Sequence, residues 1–407
     1  MKINVAVFFG GRSVEHEISV ISALQAINAF NTDKYEVVPV YISKQGRWFT
    51  GQQLLDIANY KNMKALTDNC EEVFMRPEYG DYNLYSAKTG GMFSKRNPVV
   101  AELHIALPVL HGTNCEDGTF EGLLDTIGIP YAGCDTLASA NGMDKITMKM
   151  ILRECGIPVV DYVWTTDKQW QARRDEIIDE VERKLGYPVI VKPANLGSSV
   201  GIGKAANREQ LIEKVNDAER FSTRIIIEHM IEQLKEINCS VLGDADDHQS
   251  SVCEEPLKSG DFLSYTDKYT ARSGMEGSSK RIPADLPDEV TKRIQHIAGE
   301  TFRVLSCHGV SRVDVMIDEK DGNIYVNEIN TIPGSLSYYL WEESGISFTE
   351  LIDRLMALAL KRKREIDRKT FSYDSNIFAL GGGAKGAKGG MKLGAKGGAK
   401  YSVPRKN

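Results

Sequence analysis

Apolar and polar positions along the chain follow two periods, and the order in which those periods occur predicts the architecture. Residues 3–9, 37–42 and 104–110 are short, nearly continuous apolar runs, the mark of strands buried on both faces. Residues 18–30 and 120–127 carry apolar side chains at helical spacing, so residues 1–135 read as an open α/β layer with a mostly parallel sheet. The pattern then changes. A helix over 144–155, a strand over 159–165, a charged helix reaching 185, a strand over 188–193, a helix over 207–219 and a strand over 224–230 form a compact α+β unit, residues 136–232. A third, mixed α+β region, 233–370, carries strands at 237–243 and 250–257. A long polar loop at 258–281 and a helix at 288–305 follow. The region then has two alternating runs, 310–317 and 324–329, and ends in an amphipathic helix over 348–364. The two alternating runs flank a turn signal at 319–323 and predict a β-hairpin. Residues 371–407 collapse into repeats of Gly, Ala and Lys that bury no core, a disordered and locally basic tail.

The hairpin carries the strongest chemistry. Glu328 and Asn330 are two residues apart and share a strand face, and Asp314 on the partner strand can meet them. Two carboxylates and an amide oxygen are a hard, all-oxygen donor set suited to Mg²⁺ with nucleotide phosphates, not to zinc or copper. Arg312 lies on the same face as Asp314, either as a structural ion pair or as a cation for a transferring phosphoryl group.

Three loops extend this reading. Lys192 ends a strand before Asn195-Leu-Gly-Ser-Ser-Val-Gly-Ile-Gly203, where small residues let the backbone approach phosphates and Ser198 and Ser199 add hydroxyls. Ala205 stands where a Walker A loop has Ser or Thr, and no third glycine completes a dinucleotide fingerprint. Standing alone, the segment would be an ordinary turn. Residues 228–236 join two strands at a region boundary, either a hinge for a nucleotide base or a solvated acidic linker. At the strand ends of the first layer, Glu15 is placed to hold a cationic group, and His111 sits beside Gly112.

Composition narrows the class. With 42% hydrophobic and 26% charged residues, the 407-residue chain is an ordinary globular protein of two or three domains. A net charge of −6 argues against a nucleic-acid scaffold, because no basic field covers the folded part. Seven scattered cysteines without a C-x-x-C read as reduced thiols. No apolar stretch approaches the ~20 residues of a membrane span. The N-terminal run is a first core strand, and a cytoplasmic location is expected.

Six ordered blocks, GGRSVEHEIS, LHGTNCEDGTFEGLL, GMDKITMK, PVIVKPANLGSSVGI, SYTDKYT and SRVDVMID…NEINTIPG, resemble the D-alanine–D-alanine ligases of the ATP-grasp superfamily. The resemblance covers residues 1 to about 370. It implies three domains, ATP gripped between the central and C-terminal ones, two Mg²⁺ ions (with Mn²⁺ as a substitute) and a homodimer. It implies phosphate contacts for Lys145, Lys192, Ser198 and Ser199, and adenine and ribose contacts for Glu228, Ile231 and Glu236. Asp314, Glu328 and Asn330 match the metal ligands, and Arg312 the transition-state arginine. Glu15, with His111 beside it, matches the residue holding the ammonium of the first D-alanine. Lys268 and Tyr269 match a closing loop, and backbone N–H groups near Gly334 would serve the oxyanion. One position departs from the pattern: Tyr339 stands where the family has a serine for the second substrate's carboxylate. The implied reaction joins two D-alanines through an acylphosphate, for peptidoglycan precursor synthesis. D-lactate or D-serine as acceptor, or a nucleotide-binding regulator without catalysis, are the alternatives. Retention of Lys192, Asp314, Glu328 and Asn330 speaks against a regulator.

Overall fold

The structure, a computed structural model, describes residues 2–88, 97–197, 200–257 and 280–372. Ser198, Ser199, Lys268, Tyr269, most of the 258–281 loop and nearly all of the tail lie outside the described residues. The chain runs β1 (Ile3–Gly10), α1 (His16–Asn28), β2 (Tyr35–Ile42), β3 (Trp48–Thr50), α2 (Met63–Asp68), β4 (Glu71–Met75), β5 (Asn83–Ser86), β6 (Val99–Glu102) and β7 (Ile105–Val109). It continues through α3 (Thr119–Ile127), α4 (Thr136–Met143), α5 (Lys145–Glu154), β8 (Tyr162–Thr166), α6 (Asp167–Lys184), β9 (Val189–Pro193), β10 (Gly203–Ala205), α7 (Arg208–Ala218) and β11 (Arg224–His229). The remaining elements are β12 (Leu234–Gly243), β13 (His248–Pro256), β14 (Lys280–Arg281), α8 (Asp288–Val304), β15 (Gly309–Asp318), β16 (Asn323–Asn330), α9 (Tyr338–Glu343) and α10 (Phe348–Ile366).

Three sheets organise these elements. The first has the order β6-β5-β4-β3-β2-β1-β7. Strand β1, flanked by β2 and β7, alternates: Val5, Val7 and Phe9 enter one core, while Ala6 and Phe8 enter the core on the opposite face. Both faces are therefore covered, which explains the unbroken apolar run. The expected mostly parallel sheet is not what forms. β1 runs parallel to β2 and β7, but β2 through β6 are joined by antiparallel pairings. Those extra strands are three to five residues long, too short to leave a readable period in the polar stretch that contains them.

The second sheet, β10-β9-β11-β8, and the third, β14-β13-β12-β15-β16, are antiparallel throughout. α6 and α7 cover the second sheet through Trp170, Ile178, Leu211 and Val215. α8 covers the third through Ile294, Ala298 and Phe302, with Met148 and Leu152 of α5 joining the same core. α10 buries Leu351, Ile352, Leu355 and Met356 in the core that holds Val5, Val7 and Phe9, so the last helix closes on the first sheet.

A carboxyl group fastens the first layer to the segment after β16. Glu116, in the loop that precedes α3, is buried. Its Oε1 accepts the Ile332 N–H at 3.0 Å and its Oε2 the Gly112 N–H at 3.3 Å. Burial, reinforced by the nearby Glu15 carboxylate, pushes this carboxyl up to about 8. The folded state therefore holds a proton that the unfolded chain has released. Its contribution is complete below the ordinary value of 4.5 and is lost as pH rises to about 8. Glu121, pushed up to about 8 mainly by burial, acts in the same window. Glu116→Gln should flatten the fall in unfolding free energy between about pH 5 and about pH 8. Urea midpoints of variant and parent at the two pH values check this, and parallel losses would contradict it.

Candidate active site

The polar face of the third sheet is set by a bulge. β15 and β16 pair Arg312 with Asn330 and Asp314 with Glu328, after which the register shifts so that Val315 faces Val326. Asn327 is the extra residue. Strict alternation from the buried Ile324 and Val326 would send Glu328 into the core. The bulge reverses the phase, so Ile329 is buried while Glu328 and Asn330 reach the cleft. The two carboxylates stand directly opposite one another, an arrangement that is destabilising unless neutralised.

Neutralisation comes from two directions. Arg312 grips Asp314 with both arms, Nε to Oδ1 at 2.7 Å and Nη2 to Oδ2 at 2.8 Å. Asn330 Nδ2 donates to Asp314 Oδ2 at 3.1 Å. Lys145, the first residue of α5, places Nζ 2.9 Å from Glu328 Oε2 and donates to the Leu196 carbonyl at 2.9 Å. α5 starts there because Asp144 caps it, accepting the Thr147 N–H at 2.8 Å. Burial acts to lower the Lys145 value, but Glu328 outweighs it and the ammonium is held above its usual range. Two carboxylates and an amide, each next to a cation, form an oxygen donor set that fits Mg²⁺ and offers nothing to a thiophilic metal.

Behind this row lies a second, more deeply buried cluster. Lys192, near the end of β9, donates to Glu228 Oε2 at 2.7 Å and to Asn327 Oδ1 at 3.0 Å. The bulged residue is thus a ligand for the lysine. Glu228 Oε1 lies 3.1 Å from Lys149 Nζ in an ion pair, and Lys149 is fully buried. Burial alone would raise the Glu228 carboxyl, but Lys149 and Lys192 outweigh it and hold it at about 2. Burial is the larger effect on Lys149 and lowers its value. Three lysines thus face two carboxylates here, leaving positive charge beside the Gly-rich loop. Lys149 was not foreseen from the sequence, although its spacing of four from Lys145 puts both on one helix face.

The remaining expected residues take up positions around these two clusters. Ile231 is buried with Val160 and Met316, and Glu236 is the register partner of Met316, so the hinge residues adjoin one apolar corner. Glu15 lies between two glycine loops: a Cβ on Gly197 would come within 3.0 Å of its Oε2, and one on Gly112 within 2.6 Å. Only residues without side chains let these loops close on the carboxylate. His111 is buried, and its Nδ1 meets the Ile332 carbonyl at 2.8 Å, so that nitrogen carries the proton. Nε2 then accepts from Ser22 Oγ at 3.0 Å, and Ser22 Oγ accepts the Ser335 N–H at 2.9 Å. Burial pushes His111 down to about 4, which keeps this chain neutral. Ser22 was not foreseen; helical spacing alone marks it only as one more residue of α1.

Gly334 opens a tight turn in which Ser335, Leu336 and Ser337 all have φ near 52°. Three successive left-handed non-glycine residues are costly and persist only where surroundings hold them; here Ser335 is tied to Ser22 and Gln25 of α1. Tyr339 follows, and its hydroxyl donates to Glu254 Oε2 at 3.1 Å. The structure therefore brings together Lys145, Glu328, Asp314, Asn330 and Arg312 as one group and Lys192 with Glu228 as another. Glu15 and His111 lie at the first layer's strand ends, and Tyr339 lies against Glu254 of β13. Among the described residues, no helix is long and apolar enough to cross a membrane.

This architecture and its sequence are found in known proteins. Residues 4–134 match the family described as D-ala D-ala ligase N-terminus, and 151–357 that described as D-ala D-ala ligase C-terminus. The chain is 39% identical over 378 residues to the D-alanine–D-alanine ligase of Thermosipho melanesiensis, covering 93% of this chain and 99% of that protein. It is 41% identical over 371 residues to that of Acetivibrio thermocellus, covering 89% and 96%. Among solved structures it resembles the D-alanine–D-alanine ligase from Coxiella burnetii, with a TM-score of 0.74, 29% identity and coverage of 90% and 96%. It also resembles the VanG D-Ala:D-Ser ligase of Enterococcus faecalis, with a TM-score of 0.74, 32% identity and coverage of 88% and 100%. The mixed sheets, the lysine-lined cleft and these matches lead to one conclusion: the chain has the ATP-grasp fold and belongs to the D-alanine–D-alanine ligase family.

Proposed function

We propose that the protein joins two D-alanines into D-alanyl-D-alanine at the expense of ATP, forming a peptidoglycan precursor. The observation that carries this reading is the pair of facing carboxylates, Asp314 and Glu328, flanked by Arg312, Lys145 and Lys192. A cluster of cations around an oxygen donor set suits a triphosphate with its metal ions. Glu15, across the cleft beside the Gly-rich loop, holds the ammonium of the first D-alanine and so aims its carboxylate at the phosphates. Ile231 and Glu236 receive the base and ribose of ATP, and Lys145 and Lys192 its phosphates. Ser198, Ser199 and Lys268 complete the phosphate contacts.

Asp314, Glu328 and Asn330 hold two Mg²⁺ ions, which Mn²⁺ can replace. Bound there, such ions would supply positive charge to the phosphates. Arg312 steadies charge on the phosphoryl group as it passes to the first D-alanine. The acylphosphate carbonyl is then attacked by the amine of the second D-alanine, with backbone N–H groups near Gly334 and the Arg312 guanidinium facing the oxyanion. Tyr269 belongs to the loop that excludes water from this intermediate. The division into regions 1–135, 136–232 and 233–370, the homodimer and the cytoplasmic location are part of the same proposal. D-serine as acceptor is the second reading, favoured by Tyr339 in place of the family serine and by the likeness to a D-Ala:D-Ser ligase.

Glu328→Gln is expected to lower turnover by about a hundredfold or more at saturating Mg²⁺, since one donor oxygen of the ion pair site is lost. A cooperative urea transition should remain. Near-parental activity at saturating Mg²⁺ would remove the metal assignment. The acceptor is tested by supplying D-alanine, D-serine and D-lactate together with ATP and identifying products between about pH 7 and about pH 9. A free amine is needed for attack and amino acids are largely protonated at neutral pH. The dipeptide yield should therefore rise across that range, with D-alanyl-D-alanine dominant. Dominant D-alanyl-D-lactate at neutral pH would overturn the acceptor while leaving the ligase chemistry standing.

A further inference from the structure

Two buried lysines from different elements close on one carboxylate. Lys149 lies on α5, Lys192 on β9 and Glu228 on β11. Lys149 Nζ stands 3.1 Å from Glu228 Oε1, and Lys192 Nζ donates to Glu228 Oε2 at 2.7 Å. The neighbouring charges are matched one to one, Lys145 with Glu328 and Arg312 with Asp314. Around Glu228 the match fails, and one positive charge is left over. A single ion pair at this depth would need no role beyond structure. The second lysine does, because burying an ammonium without a carboxylate of its own is unfavourable unless a ligand meets the charge.

The two lysines are not equivalent. The Lys149 side chain has no exposed surface, whereas that of Lys192 is 10% exposed. Lys149 is therefore closed to any ligand, and its further contact runs inward, to the Val326 carbonyl at 3.4 Å. Lys192 gives one proton to Glu228 and one to Asn327 Oδ1 at 3.0 Å, and an ammonium has three. Val326 and Asn327 are consecutive residues at the bulge of β16, and Glu328 follows them. Both lysines thus reach the same point of the strand, one from a helix and one from a neighbouring sheet.

We infer that Lys149 is a positioning residue for the nucleotide: as the standing counter-ion of Glu228, it leaves the charge of Lys192 to a phosphate. The inference rests on the reading that Lys192 receives a phosphate of ATP. Lys149 itself never touches the nucleotide. Without it, Glu228 and Lys192 would form a closed pair, and a phosphate drawing on that ammonium would leave a buried carboxylate uncompensated. With it, Glu228 stays neutralised while Lys192 keeps its place and turns its third proton to the ligand. The spacing of four residues between Lys145 and Lys149 sets one lysine of α5 at the cleft and the other behind it.

The test uses four full-length proteins: the parent, Lys149→Met, Glu228→Gln and the double variant. Methionine removes the charge from a long side chain, and glutamine keeps an acceptor for Lys192 while needing no counter-ion. Binding of a non-hydrolysable ATP analogue with Mg²⁺, and of adenosine, is measured by calorimetry. Lys149→Met should weaken the analogue about tenfold or more, as expected when a contact to a charged group is lost. Adenosine, which has no phosphates, should bind within about threefold of the parent. In the Glu228→Gln background, adding Lys149→Met should change analogue binding by less than about threefold, because no buried carboxylate is left to neutralise. The inference is overturned if Lys149→Met binds the analogue as the parent does, if it weakens adenosine equally, or if its effect is undiminished beside Glu228→Gln. Should Lys149→Met lose its cooperative urea transition, the Glu228→Gln protein and the double variant decide, and a gap above about threefold between them overturns the inference. Calorimetry involves no turnover. A parent that binds the analogue but makes no dipeptide refutes the ligase reading alone, and a parent that does not bind it overturns both.

Discussion

Two negative charges side by side on one strand pair are the constraint to which the rest of the site answers. Asp314 and Glu328 are direct cross-strand neighbours, and in a half-buried setting such a pair repels unless cations are brought to it. Arg312, on the same strand face, meets Asp314, but Glu328 is met by Lys145 from a helix of another region. The charge pair therefore ties α5 to the third sheet. It does so where α5 is capped and oriented by Asp144, whose other oxygen also meets Arg224 of β11.

The same logic operates one layer deeper. Glu228 is buried between Lys149 and Lys192, and a lone carboxylate there would carry a large desolvation penalty. With two lysines it is held ionised, and Lys192 is in turn fixed between Glu228 and the bulged Asn327. β9, β11, α5 and β16 are joined by a handful of charged atoms. The cleft between the second and third sheets is thus lined by cations already held in place, so an anionic ligand there would meet little that must be reorganised.

On the side of the first layer the bonds are neutral. His111, Ser22 and the Ser335 amide form a directional chain that ends on the Ile332 carbonyl, and Glu116 takes the Ile332 N–H. The turn that carries Gly334 is held from both sides by these contacts, which accounts for its run of left-handed residues. A charged cleft and a neutral seam thus meet along a single strand, β16, and the turn that follows it.

The sequence by itself determined the elements with a long, clean period and the residues that carry charge within them. Residues 310–317 and 324–329 read as a hairpin, and the shared face of Glu328 and Asn330 and their oxygen chemistry were legible from spacing and residue type. α6, α7, α8 and α10 followed from helical spacing within a residue or two. What remained hidden depends on contacts between distant segments. The bulge at Asn327 changes which face Glu328 occupies, and no local signal distinguishes a bulged strand from a regular one. The four short antiparallel strands of the first sheet are defined by their partners rather than by their own pattern. Lys149 and Glu116 look in sequence like ordinary surface charges. They become functional candidates only because folding buries them against Glu228 and Ile332, where desolvation makes each partner's charge or hydrogen bond decisive.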